Sequence, residues 1–543
     1  MDFQKKIFAY ILLLTSAFLL WSTWQQEHAP ATKAQTVAQE IPANPSNIVP
    51  ELPTTNSTAA PVPTPPQTAH SNGLISVKTD VFNVDINPLD GNIVKSSLFH
   101  YPLSIDSHSP FIMFNNEEGG IYEAQTGLIT DAGEKLTPLF QSYQQQYTLA
   151  NDQDSLSVVL AWSKQGLDIT KTYLFHRGQY HIDVTYNIVN HTNQAWQGYY
   201  FAQLVRNGEP PAFADISHYT YFGAATSSPE EHYNKVSFSD MKKTSLSDTV
   251  TGGWIAMIQH YFVSAWVPNK QDAFHFYSKA NTQHDIYTIG SLSPKISVAP
   301  GQTFTASMTL YSGPATAENL NKVAPYLNLT VDYGWLWFIS DILFWMMSTI
   351  YHWAGNWGWS IVLVTLVIKL VFFQLSAKSY KSMAAMKRLQ PKLTILKDRY
   401  ANDKQQMSRA TMELYKKEGV NPLGGCLPML VQIPVFIALY WVIVESVELR
   451  QSPFIFWIHD LAAKDPLYIL PVIMGLTMFL QQKISPPPAD PMQAKIMLML
   501  PVVFTIFFLQ FPAGLVLYWV VNNTLSILQQ YFMMRRYGGE QKK

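Results

Sequence analysis

"SIVLVTLVIKLVFFQL", Ser360–Leu375, is apolar except for Ser360, Thr365, Gln374 and one cation, Lys369. The run has the length and hydropathy of a membrane span. Lys369 lies 10 to 12 residues beyond Trp359 and Trp357, so roughly 15–18 Å down a helix rising about 1.5 Å per residue, too deep for easy snorkelling. A lysine at that depth costs about 2.5–3.5 kcal/mol or more, and such residues are rare unless something compensates.

The usual compensation is a carboxylate on a neighbouring span. Residues 359–375, 426–444, 467–481, 496–510 and 515–532 hold the remaining apolar runs, and none contains Asp, Glu or His. The hydrogen-bonding groups they offer are neutral, among them Thr365, one turn before Lys369, Gln432, and the pair Asn522 and Asn523. An unpaired cation among neutral groups requires water, most simply in a cavity open to one aqueous side. The expectation is a polar groove, open to the cytoplasm, where the missing anion arrives with a ligand. A purely structural Lys369 that deprotonates or bonds neutral neighbours is the alternative.

Outward from this span, charge sets topology. Residues 25–332 carry 15 Lys+Arg against 26 Asp+Glu (15 − 26 = −11), and residues 377–422 carry 11 against 4 (11 − 4 = +7). Basic loops stay cytoplasmic, which places 377–422 inside. Residues 1–24, with Lys5 and Lys6 before an apolar run, read as an uncleaved signal anchor starting in the cytoplasm. Residues 25–72, with nine prolines, read as a disordered tether. The stretch 333–353 is long enough to cross, but crossing would export the basic loop; linker and interfacial helix therefore occupy 315–358. Counting the anchor, six spans result: 359–376 is the second, spans three to six fill 423–534, and the basic tail 535–543 ends in the cytoplasm. Several have only about 15 apolar residues, which implies a locally thinned bilayer.

Residues 73–314 change to period two. In "YHIDVTYNIVN", Tyr180, Ile182, Val184, Tyr186 and Ile188 share one face, and Arg177-Gly178 marks a hairpin. The reading is a large antiparallel sandwich on the outer side, following one helical span.

The basic loop 377–422 reads as two helices. Met383, Met386, Leu389, Leu393, Leu396 and Tyr400 form one stripe; Asn402 or Asp403 caps the second helix, and Gly419 stops it. Its basic face, Lys378, Lys381, Lys387, Arg388, Lys392, Lys397 and Arg399, is a candidate contact for ribosomal RNA or anionic lipid. A solvated face that merely sets topology is the plain alternative.

Linear motifs for chemistry are missing: no phosphate-binding G-x-x-x-x-G-K-[ST] loop, no H-E-x-x-H, and a single cysteine, Cys426. No catalytic residue, cofactor or metal is expected. A secondary transporter would want midplane titratable groups, and a membrane-anchored periplasmic carbohydrate-binding module would not need five further spans.

The span around Lys369, "NPLGGCLPMLVQIPVFIALYW" (Asn421–Trp441), "SPFIFWIHDLAAKDPLYILPVIMGLTMFLQQK" (Ser452–Lys483) and "FPAGLVLYWVVNN" (Phe511–Asn523) resemble the YidC family of bacterial membrane protein insertases, in the Gram-negative form. The resemblance implies a five-span α-helical core plus N-terminal anchor in the inner membrane and a periplasmic all-β supersandwich of sugar-mutarotase type. It implies a chaperone that inserts nascent membrane proteins alone or with the Sec translocon and its accessory subunits, working as a monomer. It also implies a groove around a positive residue at Lys369, with Thr365 and Gln432 lining it and Tyr518 and Trp519 on a substrate-contacting helix. Most relatives look to have arginine where this chain has Lys369, and many have tyrosine in place of Trp519.

Overall fold

The computed structural model describes residues 73–107, 109–117, 120–209, 220–400, 403–420, 427–485 and 491–537. The expected signal anchor, the proline-rich tether, Cys426 and most of the basic tail lie outside these. The chain divides between Asp332 and Tyr333 into two compact units.

The first unit is all-β in its core, with an eleven-stranded and a nine-stranded sheet. Strand formation follows the alternation: His181–Asn190 buries every second residue, and Ile182, Val184 and Ile188 are fully enclosed. The hairpin read at Arg177-Gly178 joins Leu167–His176 to His181–Asn190, with Gly178 at φ 67° supplying the left-handed turn residue. Pairing is antiparallel with one exception among the described residues, Ile75–Lys78 against Gln146–Thr148, which is parallel. A strictly antiparallel sandwich is therefore corrected at this edge. The two short strands are far apart in sequence, so no hairpin geometry constrains their direction.

Period two does not reveal that this unit encloses charge. Lys171 is fully buried, donating to the Gly91 carbonyl at 2.5 Å with its ammonium 5.1 Å from the Tyr173 ring. Arg206 is sandwiched between the rings of Tyr122 and Phe222 at 4.3 and 4.2 Å. The Glu123 carboxylate accepts from Gln125 and Asn116, and burial pushes it up to about 7; burial likewise brings Lys171 down to about 7.

The second unit is helical. Its elements are α1 (Trp337–Ala354), α2 (Trp357–Val371), α3 (Phe373–Arg388), α4 (Gln390–Arg399), α5 (Lys404–Lys417), α6 (Leu427–Glu445), α7 (Ile469–Ile484), α8 (Pro491–Phe508) and α9 (Ala513–Tyr537). The stretch expected to lie in the interface becomes a short 3-10 turn, Gly334–Leu336, and then α1. α1 buries Ser340, Leu343 and Met347 and exposes Trp337, Phe338, Ile342, Trp345 and Trp353. The Ser340 hydroxyl donates to the Ala438 carbonyl of α6 at 3.1 Å. Gly355, at φ 63°, ends α1, and the Asn356 side chain caps α2 by accepting from the Trp359 amide at 3.1 Å.

Two expectations are corrected here. The span through Leu375 does not run straight: α2 stops at Val371, and α3 leaves it at a bend of 66°. The stripe Met383–Tyr400 is also not one helix, since α3 ends at Arg388 and Pro391 sits in the first turn of α4. Proline has no N–H to continue the ladder. α4 and α5 form the hairpin, with Asp403 accepting from the Gln405 and Gln406 amides at 3.0 Å and Gly419 at φ 64° closing α5.

No single helix among the described residues is long and apolar enough to cross a bilayer alone. The bent pair α2–α3 passes together, and Leu430–Glu445, Ile469–Ile484 and Lys495–Phe508 are shorter apolar helices. At about 1.5 Å per residue these fall short of a roughly 30 Å hydrocarbon core.

Candidate functional site: a lysine-centred polar surface

Lys369 sits in the last turn of α2, where the break after Val371 places it near the negative pole of that helix. This is one compensation for its charge that needs no carboxylate. The other is a hydroxyl. Lys369 Nζ donates to Ser526 Oγ on α9 at 2.6 Å, and Ser526 Oγ donates to the Asn522 carbonyl at 2.7 Å. Lys369 is half-buried, and among the described residues no salt bridge involves it.

A second branch reaches α6. Gln432 Nε2 donates to the Asn522 side-chain oxygen and to the Tyr518 hydroxyl at 3.2 Å. Helices α2, α6 and α9 thus each contribute to one polar chain, Lys369–Ser526–Asn522–Gln432–Tyr518. Beside it, Trp519 meets Phe436 edge-on at 4.7 Å and Phe508 at 5.2 Å, while its buried indole N–H has no hydrogen-bond partner among the described residues.

The remaining expected members are placed elsewhere. Thr365 is fully buried and donates to the Ile361 carbonyl of its own helix at 2.6 Å. Asn523 turns to α7, its amide donating to Thr477 Oγ1 at 3.2 Å. Adjacent helix positions diverge by about 100°, so the Asn522-Asn523 pair was never one surface.

The sequence reading missed Ser526 and Gln530, though their signal was there. Tyr518, Asn522, Ser526 and Gln530 recur every four residues, which is one face of a helix. Gln530 is buried, its amide donating to Ser485 Oγ at 3.0 Å.

On the hairpin side, Lys378, Lys381, Lys387, Arg388, Lys392 and Arg399 are exposed, and the Lys397 side chain lies outside the described residues. Lys392 is paired with Glu418 at 2.5 Å, and the Lys381 ammonium lies 5.5 Å from the Tyr537 ring.

Short apolar helices around an internal polar chain, joined to a β-sheet unit, define a helical membrane protein with a large extramembrane domain. Residues 74–346 match the family model described as YidC periplasmic domain, and residues 349–541 match that described as 60Kd inner membrane protein. The membrane protein insertase YidC of Legionella pneumophila strain Paris is 48% identical over 544 residues, covering 99% of this chain and 98% of its own. That of Coxiella burnetii is 44% identical over 557 residues, covering 99% and 98%. A solved structure of an active YidC insertase with its first transmembrane domain resolved aligns with a TM-score of 0.40 at 17% identity, over 86% of this chain and 93% of that one. The chain belongs to the YidC family of membrane protein insertases, inner membrane proteins with a periplasmic domain. Its activity is insertion, not enzymatic chemistry. Similarity over nearly the whole length sets aside both the transporter and the anchored carbohydrate-binding module.

Proposed function

We propose that nascent membrane proteins are inserted along the polar chain of α2, α6 and α9, with Lys369 as the transient counter-charge for acidic or polar segments of the client. The observation that carries this reading is the neutral partner of Lys369: a serine hydroxyl holds the ammonium without cancelling its charge. An arriving carboxylate or carbonyl takes that place at little cost. Water in the groove shortens the stretch over which a client segment is unhydrated, and short helices thin the bilayer beside it. The client's own apolar helix then leaves into lipid past the exposed Leu366, Val367, Leu370 and Val371, driven by burial at about 25 cal/mol per Å². Gln432, Tyr518, Trp519 and Asn522 form the groove wall; Thr365 and Asn523 support it from behind.

The same reading puts both termini, 377–422 and 535–543 in the cytoplasm, the β unit (73–314) in the periplasm, and six spans in a monomer. Lys378, Lys381, Lys387, Arg388, Lys397 and Arg399 meet the ribosome or anionic lipid, and Lys392 contributes through its pair with Glu418. The Sec translocon and its accessory subunits are the partners for larger clients.

Site-specific photocrosslinkers at positions 369, 432, 519 and 526 should capture a stalled client, and one at 365 should not. Lys369→Arg should retain insertion and Lys369→Glu should impair clients with acidic translocated segments most. Full activity of Lys369→Glu on every client would overturn the reading.

A further inference from the structure

Linear motifs cannot show what a hairpin brings together. On the nine-stranded sheet, Phe175 pairs with Ile182 and Leu174 with Asp183, which sets His176 beside His181 across the turn and Asp183 two residues along on the same outward face. One donor atom from each of His176, His181 and Asp183 lies within 4.8 Å of the others. The imidazole centroids of the two histidines are 5.0 Å apart, and His176 Nε2 lies 2.9 Å from Asp183 Oδ2.

The carboxylate is already oriented. Thr309, paired with Asp183 on the neighbouring strand, donates its hydroxyl to Asp183 Oδ1 at 2.8 Å, leaving Oδ2 turned toward the histidines. Metal-ligating carboxylates are held by such outer hydrogen bonds. Two imidazoles and one carboxylate suit a borderline divalent ion, with bonds of about 2.0–2.2 Å and donors roughly 3.3 Å apart. Reaching that spacing takes side-chain adjustments within one rigid hairpin, because the three ligands stand on two adjacent, fully paired strands. The side chains of His176 and Asp183 are 30% and 40% exposed, so an ion from solution reaches them, and positions beyond the three ligands fall to water.

We propose that the β unit carries a metal-binding site for one divalent transition-metal ion of the Zn²⁺ class, held by His176, His181 and Asp183 and supported by Thr309. It is independent of the insertion groove and of the reading proposed for it. The ion bridges the two strands and stabilises the fold that binds it.

The test uses the full chain without a histidine tag, in detergent, stripped of metal with EDTA and titrated with Zn²⁺ against a chromophoric chelator. One strongly held Zn²⁺ per chain is expected, together with a rise in the thermal midpoint of the β unit. Thr309→Val should weaken binding by about tenfold or more, and His176→Ala, His181→Ala and Asp183→Asn should each weaken it further. Thr309→Val keeps all three ligands, and far-UV circular dichroism of the metal-free chains reports that the β unit of each variant is folded. Binding by the double variant His176→Ala/His181→Ala equal to that of the unsubstituted chain, or no Zn²⁺ binding by the latter, would overturn the proposal.

Discussion

The Lys369 ammonium donates to the Ser526 hydroxyl at 2.6 Å, and that hydroxyl donates onward to the Asn522 carbonyl four residues earlier on the same helix. A cation on α2 is thereby tied to the backbone of α9 through one hydroxyl, which accepts from the ammonium and donates to the carbonyl, and among the described residues no salt bridge involves it. Removing the hydroxyl leaves the ammonium half-buried and short of an acceptor. Ser526→Ala combined with Lys369→Met in a double-mutant cycle should give a coupling of about 1–2 kcal/mol in thermal or denaturant stability. Additivity of the two single substitutions would contradict the bond.

Helices α7 and α8 meet where Gly475 faces Thr505. A methyl group at Gly475 would lie 2.0 Å from Thr505 Oγ1, and that hydroxyl is itself engaged with the Pro501 carbonyl at 2.8 Å. Gly475→Ala should therefore destabilise by about 1–3 kcal/mol. Adding Thr505→Ala vacates the space and should recover most of the loss, measured as the thermal midpoint in detergent.

Lys392 and Glu418 clamp the hairpin at 2.5 Å, and the lysine holds the Glu418 carboxyl below the usual glutamate range. For an acid with a depressed value in the folded state, stabilisation is present above its ordinary value and is lost as pH falls through the depressed one. Protection of the α4 and α5 amides, that is exchange corrected for its intrinsic pH dependence, should fall on acidification into that window and on adding salt. In Glu418→Gln both responses should disappear.

Burial raises Glu123 from 4.5 to about 7. Between these values the unfolded chain releases this proton before the folded one does, so stability of the β unit falls as pH rises from about 4.5 to 7. The effect is on the order of 3 kcal/mol. Lys171, brought from 10.5 to about 7, has the opposite sign: above pH 7 the fold holds it neutral while the unfolded chain remains charged, so stability rises with pH. A stability minimum near neutral pH is expected, and Glu123→Gln should flatten the acid limb alone in a pH series of thermal unfolding.

How much was legible follows from the reach of each signal. Alternation in "YHIDVTYNIVN" located strand, face and hairpin, because a strand's two sides are set by neighbours in the chain. Asp403 and Gly419 ended their helix where read, because capping is also local. The lack of carboxylates in the spans was likewise a property of composition, and it singled out Lys369. The Asn522-Asn523 pair misled by adjacency, whereas the four-residue spacing through Ser526 and Gln530 carried the surface that α9 presents.

The sequence by itself therefore determined which segments are strands, which are apolar helices, and that one cation stands among neutral groups. Tertiary structure alone decided how that cation is held. No proline or glycine marks the 66° break after Val371; there, Gln529 of α9 donates to the Phe373 carbonyl at 3.2 Å and ties the start of α3 to another helix. Only with α9 packed alongside do Ser526, the helix end and Lys369 come together. Hydrogen bonds between residues more than 150 apart depend on packing that local sequence cannot encode.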